Sequence, residues 1–228
     1  MSKSLSYSSI TKKIVLSLAG LFLISFLVVH LLINLLILFD YTNKENPREL
    51  FNAAAHFMAT NPLIQVFQYV LFFGFILHII LGLIIQIQNW SARPVRYNRK
   101  GYSELSYFSK FMIHTGAIIF IFLIIHFANF FVKSKSGSID LITYPSGHTY
   151  EDLGLLIINL FKDGAYVIFY VISLLLLGFH LDHGFQSAFQ SLGINHSRYT
   201  PFIKTFGTLF SAVITLGFIS IPLVIYFS

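Results

Sequence analysis

Residues Gly20 to Asn34 read Gly-Leu-Phe-Leu-Ile-Ser-Phe-Leu-Val-Val-His-Leu-Leu-Ile-Asn. Apart from Ser25, His30 and the terminal Asn34, the stretch is apolar, and it sits inside a longer apolar run, 14–39. That run exceeds the hydrophobic core of a signal peptide, so it reads as a retained transmembrane helix. Hydrocarbon does not hold a polar ring without a partner, so an imidazole inside a span marks a site by default. The reading of His30 therefore governs the reading of the rest of the chain.

Four further runs repeat the arrangement at 63–87, 111–132, 165–189 and 202–227. Each has the roughly 20 apolar residues that a bilayer requires. The expectation is a single all-α domain, 1–228: an integral membrane bundle of five helices. Composition agrees, because only 11% of the 228 residues are charged, against about 25% in a soluble domain. Mean hydropathy is +0.75. The net charge of +6 fits a membrane protein with basic loops better than a nucleic-acid binder. No cysteine is present, which excludes disulfides, iron–sulfur ligation and thiolate-bound haem.

The connections carry their own signals. Asn46-Pro47-Arg48-Glu49 predicts a helix start with Asn46 as N-cap, leading into an amphipathic interfacial segment that ends near Met58. Asn61-Pro62 opens the second span and Trp90 anchors its other end. In the polar loop 133–162 a second short amphipathic helix is expected, with Leu153, Leu156, Ile157 and Leu160 on one face. Lysine and arginine set the orientation. The N-terminal tail, loop 89–110 and loop 190–204 hold Lys3, Lys12, Lys13, Arg93, Arg96, Arg99, Lys100, Lys110, Arg198 and Lys204. The opposite side holds only Lys44, Arg48, Lys133, Lys135 and Lys162. The excess predicts a cytoplasmic N-terminus and, after five spans, an outside C-terminus.

Spans one to four each bury one histidine: His30, His78, His126 and His180. At about 1.5 Å per residue, His30 and His126 lie roughly 25 Å from the inner face, and His78 and His180 roughly 25 Å from the outer face. Two levels with two imidazoles each match the demand of two six-coordinate haems, each iron held by histidines from facing helices. Gly82 and Gly184 follow His78 and His180 by four residues. A glycine there lets a flat porphyrin approach the helix. Gly20 and Gly116 each stand ten residues before a histidine. A single histidine in a span is often only a helix–helix hydrogen-bonding residue; four, paired by depth, argue for ligands. His183 competes with His180, which is preferred for its spacing to Gly184. His114 reads as interfacial, His148 and His196 as loop residues, and Asp182 as a partner for an inner-face cation. A transporter with buried histidines is the reading from another class, but its broken midplane helices are missing from these continuous spans.

The segments Leu77-His78-Ile79-Ile80-Leu81-Gly82, Phe51-Asn52-Ala53-Ala54-Ala55-His56-Phe57-Met58 and Gly178-Phe179-His180-Leu181-Asp182-His183-Gly184-Phe185-Gln186-Ser187-Ala188-Phe189 resemble the di-haem cytochrome b anchor of succinate dehydrogenase and fumarate reductase. Gly20 to Asn34, Thr115-Gly116 to His126 and Gly193 extend the resemblance over most of the chain. It implies five helices around two b haems, held by His30 with His126 and by His78 with His180. It implies a bacterial cytoplasmic membrane, with a flavoprotein subunit that oxidises succinate and an iron–sulfur subunit that hands electrons to the anchor. This chain is not expected to oxidise succinate alone. A quinone, menaquinone in this branch, would be reduced, and His56, Asn52 and Gln65 are the candidate contacts. The basic loop 93–100 would dock the soluble subunits. A fumarate reductase running in reverse, or an anchor for hydrogenase or formate dehydrogenase, would share the paired histidines. The stretch from Phe179 to Phe189 argues against the latter.

Overall fold

The computed structural model describes residues 9–43, 45–91 and 111–228. Its elements run α1 (Ser9–Asp40), α2 (Glu49–Thr60), α3 (Pro62–Ser91), α4 (Met112–His126), a π-helical segment (Phe127–Val132), α5 (Lys133–Lys135), β1 (Leu141–Thr143), β2 (Thr149–Glu151), α6 (Leu153–Phe161), α7 (Gly164–Ser191) and α8 (Thr200–Phe227). Helix α4 continues through the π segment into α5 as one rod. With that rod, five helices are long and apolar enough to cross a membrane, at the five places the hydrophobic runs predict. The chain is a multi-pass membrane protein. Lipid offers the backbone no hydrogen-bond partner, so these runs must satisfy their own amides as helices. Large apolar side chains on α3, such as Phe67, Phe73, Ile76 and Ile80, face outward as lipid contact requires.

Helix α8, which carries no histidine, is the buttress. It packs on α1 and α7 and buries Ile214, Phe218, Ile219, Ile221 and Ile225. Small residues let α7 and α8 approach closely. A methyl group on Gly178 would collide with Thr215, and one on Gly207 would come 2.7 Å from the Phe185 ring. Helix α1 packs on α3, α7 and α8, and α4 packs on α7. Helices α3 and α4 share no such broad face; Phe72 reaches across to Phe127 and Phe131, with ring centres 5.4 Å apart in each case.

A cap layer closes the end of the bundle where α1 stops. It consists of α2, α6 and the antiparallel hairpin β1–β2, in which Ile142 pairs with Tyr150. The hairpin occupies a stretch expected to be loop. The expected N-cap also moves. Helix α2 starts at Glu49, and Asn46 does not cap it. Asp40 does the capping from the end of α1: its two carboxylate oxygens accept the Arg48 and Phe51 amides at 3.1 Å each. A carboxylate takes up orphan helix-start amides better than an amide side chain, because charge assists the bonds. Arg48 sits in the left-handed region (φ 68°), uncommon for a residue with a side chain.

Its guanidinium forms a two-pronged ion pair with Asp152, at 3.0 and 2.9 Å. Burial pushes the Asp152 carboxyl up, but Arg48, the Asn52 amide and the Leu155 N–H outweigh that and hold it below its ordinary value. Helix α6 forms where expected, with Ile157 buried. Its buried face, however, is Gly154, Ile157 and Phe161, and Leu156 and Leu160 are only half-buried. The helix rotates because Gly154 lies under the Arg48 side chain, where a Cβ would stand 3.0 Å from Arg48 carbons.

Candidate cofactor sites between facing histidines

Two imidazole pairs stand inside the bundle at different levels. Nearer the cap, His30 of α1 faces His126 of α4, with ring centres 5.8 Å apart and planes at 84°. Further from the cap, His78 of α3 faces His180 of α7 at 6.3 Å and 68°. These are the partners that depth along the helices selects. His183, three residues on, is not the ring that meets His78.

The polar neighbours of the rings decide which nitrogens are free. Thr115 donates its hydroxyl hydrogen to the Met112 carbonyl (3.0 Å), so toward His180 Nδ1, at 3.3 Å, it can only accept. That places the hydrogen of His180 on Nδ1 and leaves the Nε2 lone pair available. His126 Nδ1 lies 3.2 Å from the Tyr170 hydroxyl. The Asn34 amide donates to the His30 carbonyl at 2.7 Å and lies 3.4 Å from His30 Nδ1. His78 Nδ1 is buried without a hydrogen bond. Among the described residues, the bonds of His30, His126 and His180 all fall on the Nδ1 side. A metal-ligating histidine donates its second N–H to a neighbour; the Thr115 oxygen can take it from His180 and the Tyr170 oxygen from His126, whereas the Asn34 amide nitrogen beside His30 Nδ1 is itself a donor.

The residues therefore fit a metal held between paired imidazoles. Two rings sharing one ion, each through a metal–nitrogen bond of about 2 Å, have centres on the order of 6 Å apart, which is the spacing of both pairs. Among the described residues no group of three or more histidine, aspartate or glutamate side chains converges, so each level offers two protein ligands and no more. That suits a planar tetradentate ring supplying the remaining positions better than a closed four-ligand protein site.

The glycines add to the fit. A Cβ on Gly20 would lie 3.7 Å from the His78 ring, and one on Gly116 would lie 3.6 Å from His180. The helices that carry the cap-side histidines thus use glycine to admit the rings of the other pair. At Gly82 and Gly184 a Cβ would meet no atom of the described residues within 4 Å, so open space flanks the ring-bearing faces among them. Around the cap-side pair the walls are aromatic. Phe26 and Phe218 lie against His30, and Phe122 and Phe130 against His126.

The three candidate quinone contacts fare differently. Asn52 is 1% exposed. Its amide nitrogen donates to the Tyr144 hydroxyl and to Asp152, both at 3.0 Å, and its oxygen accepts the Gly154 amide at 2.9 Å. It is a strut of the cap, with both amide hydrogens committed and the side chain buried away from a ligand. His56 is exposed, with its ring 5.2 Å from that of Tyr150. Gln65 is exposed and donates to the Ala59 carbonyl across the α2–α3 turn. Asp182 accepts from Gln186 at 2.7 Å and Thr208 at 2.9 Å; the ion pair with an inner-face cation that the sequence suggests does not form among the described residues.

Sequence pattern points to neither Tyr170 nor the π segment after His126, and it gives Thr115 no link to His180. Tyr170 is 44 positions from His126 and Thr115 is 65 from His180, so no local spacing announces either contact. Compared with known proteins, the chain matches no family model, no curated relative and no solved structure.

Proposed function

We propose that the chain is a di-haem cytochrome b, the membrane-anchor subunit of a bacterial succinate:quinone oxidoreductase. The observation that supports this reading is the pair of facing imidazoles at each of two levels, on four different helices, at the spacing of a shared metal ion. His30 and His126 would hold one haem, and His78 and His180 the other. A haem iron held by two histidines supplies one-electron carriage.

The chain's own residues do the rest. Thr115 accepts at His180 Nδ1, which would leave Nε2 free to hold a metal. Phe26, Phe122, Phe130 and Phe218 keep water from the cap-side pair. Gly20 and Gly116 let the far-side rings lie close to the neighbouring helices. In the membrane of the cell, the cap side would face outward and the far side the cytoplasm. There the basic loop 93–100 would receive an iron–sulfur subunit and its flavoprotein. Electrons would pass from the far-side level to the cap-side level and on to a quinone, menaquinone in the branch that the chain resembles. His56 and Gln65, exposed on the cap side, are the remaining candidate quinone contacts, and Asn52 drops out of that set.

The experiment is succinate-driven reduction of the purified complex, followed at the b-haem absorbance. Reduction by succinate, abolished when the soluble subunits are removed and retained with dithionite, is expected. Haem that dithionite reduces but succinate in the intact complex does not would assign the anchor to another donor. H56A should keep full haem content and slow quinone reduction; unchanged turnover would remove His56 from the site.

A further inference from the structure

Tyr170 lies on α7, the helix that carries His180, yet its hydroxyl serves the other pair, 3.2 Å from His126 Nδ1. The side chain is buried, and a buried phenol needs a hydrogen-bond partner. Tyr170 already has one. Tyr166, one turn earlier, donates to it at 3.0 Å, and the Asn129 amide donates to Tyr166 at 3.0 Å. That bond uses the Tyr170 oxygen as acceptor, and among the described residues His126 Nδ1 is the other polar atom at its hydroxyl.

Asn129 belongs to the π segment Phe127–Val132 that begins immediately after His126. A π turn inserts a residue into the helical register and re-aims the side chains beyond it, and such turns gather at functional sites. Here the element carrying Asn129 continues the helix of His126, so the ligand and the far end of the tyrosine chain are placed by the same rod. A phenol oxygen can accept two hydrogen bonds. Were His126 to ligate through Nε2, its Nδ1 would carry the hydrogen and Tyr170 would accept it; the hydroxyls and the Asn129 amide would then turn over, Tyr170 donating to Tyr166 and Tyr166 to the Asn129 amide oxygen, so that every hydrogen keeps a partner.

We infer that Tyr170 is the positioning residue of the cap-side site: it accepts the Nδ1 hydrogen of His126, fixes Nε2 as the ligating nitrogen, and tunes the cap-side reduction potential independently of the far-side one. The inference rests on the di-haem reading. Drawing on the Nδ1 hydrogen makes the imidazole a more electron-rich ligand, which favours the oxidised metal and lowers the potential. His180 has a different partner, a threonine whose own hydrogen is committed to the Met112 carbonyl. The chain of two phenols and an amide behind His126 has no counterpart there among the described residues, and hydrogen-bond chains polarise one another. The two levels are thus built to differ in potential although both use paired histidines.

The test is a redox titration of the haem absorbance and of the ferric electron-spin signals in the intact complex, with Y170F beside the wild type. Both haems should remain, the cap-side potential should rise with a changed ferric signal, and the far-side potential should stay. T115V should do the reverse, moving only the far-side potential. Y166F keeps the Tyr170 hydroxyl and strips the chain behind it; it should move the cap-side potential alone, by less, and it decides the matter if Y170F does not assemble. Potentials that ignore Y170F, or that shift together, would overturn the inference while leaving the two haems in place. Wild-type protein without haem would overturn the di-haem reading and this inference with it.

Discussion

The cap and the bundle treat their polar side chains in opposite ways. In the cap, the buried polar side chains bond mainly to one another and to the backbone. Asp152 accepts from Arg48 twice, from Asn52 and from the Leu155 amide. Asn52 spends both ends of its amide, and the Tyr144 hydroxyl continues to the Pro47 carbonyl. In the bundle, four imidazoles stand in the membrane with one ring nitrogen engaged at most, and each ring faces a twin. A buried polar group that its own chain satisfies is architecture. One whose capacity is left over and aimed at a partner of the same kind is a site. This distinction removes Asn52 from the candidate contacts and keeps the histidine pairs.

The largest effect is expected in the cap. Asp152→Ala leaves the half-buried Arg48 without its ion partner and the buried Asn52 amide short of an acceptor, a loss of about 3 kcal/mol. In detergent the thermal midpoint should fall on the order of 10 °C, while haem stoichiometry in the surviving folded fraction is unchanged. A loss of haem at the original midpoint would mean that the cap is part of the site. Asn52→Ala comes next. It leaves the Gly154 amide and the Tyr144 hydroxyl short of a partner, for about 1–3 kcal/mol. Quinone turnover per folded complex should hold steady, and a selective collapse of turnover would restore Asn52 to the quinone site.

Acid weakens the same ion pair more gently. The Asp152 carboxyl is held below its ordinary 3.8, so its contribution is fully present above that value. It is lost as pH falls through the lower, folded value. Thermal midpoints followed downward from neutral pH should drop more steeply below 3.8 in the wild type than in D152N; parallel curves would contradict the assignment.

The smallest change in protein packing probes the bundle instead. Gly82→Val adds a side chain where no atom of the described residues lies within 4 Å of the new Cβ. Stability of the haem-free chain should stay within about 0.5 kcal/mol, while occupancy of the far-side haem falls. Full occupancy would show that the space beside His78 is not used by a cofactor.

Much of this architecture is legible in the chain itself. Span length and polarity alone locate the five helices, because lipid leaves the backbone no other choice. Counting along the spans brings His30 level with His126 and His78 with His180, because helix rise is constant. Contacts between distant segments stay hidden. Asn52 reads as a polar residue on an amphipathic helix until Asp152, a hundred positions away, takes its amide. Asn46 has the composition of a cap, but Asp40 has the charge and the position. The hairpin is concealed by its short strands, three residues each, though Ile142-Thr143-Tyr144 and the Pro145-Ser146-Gly147 turn carry its signal. The π segment leaves no trace in hydrophobic pattern, since Phe127-Ala128-Asn129-Phe130-Phe131-Val132 continues an apolar run.

The central claim is that each histidine pair holds one haem. Its most direct test is the dithionite-reduced minus oxidised spectrum of the purified complex, with haem counted per chain in the wild type, H126A and H78A. The account predicts two b haems in the wild type and one in each variant, with different bands missing. A folded wild-type complex with no haem, or variants that keep both, would contradict it.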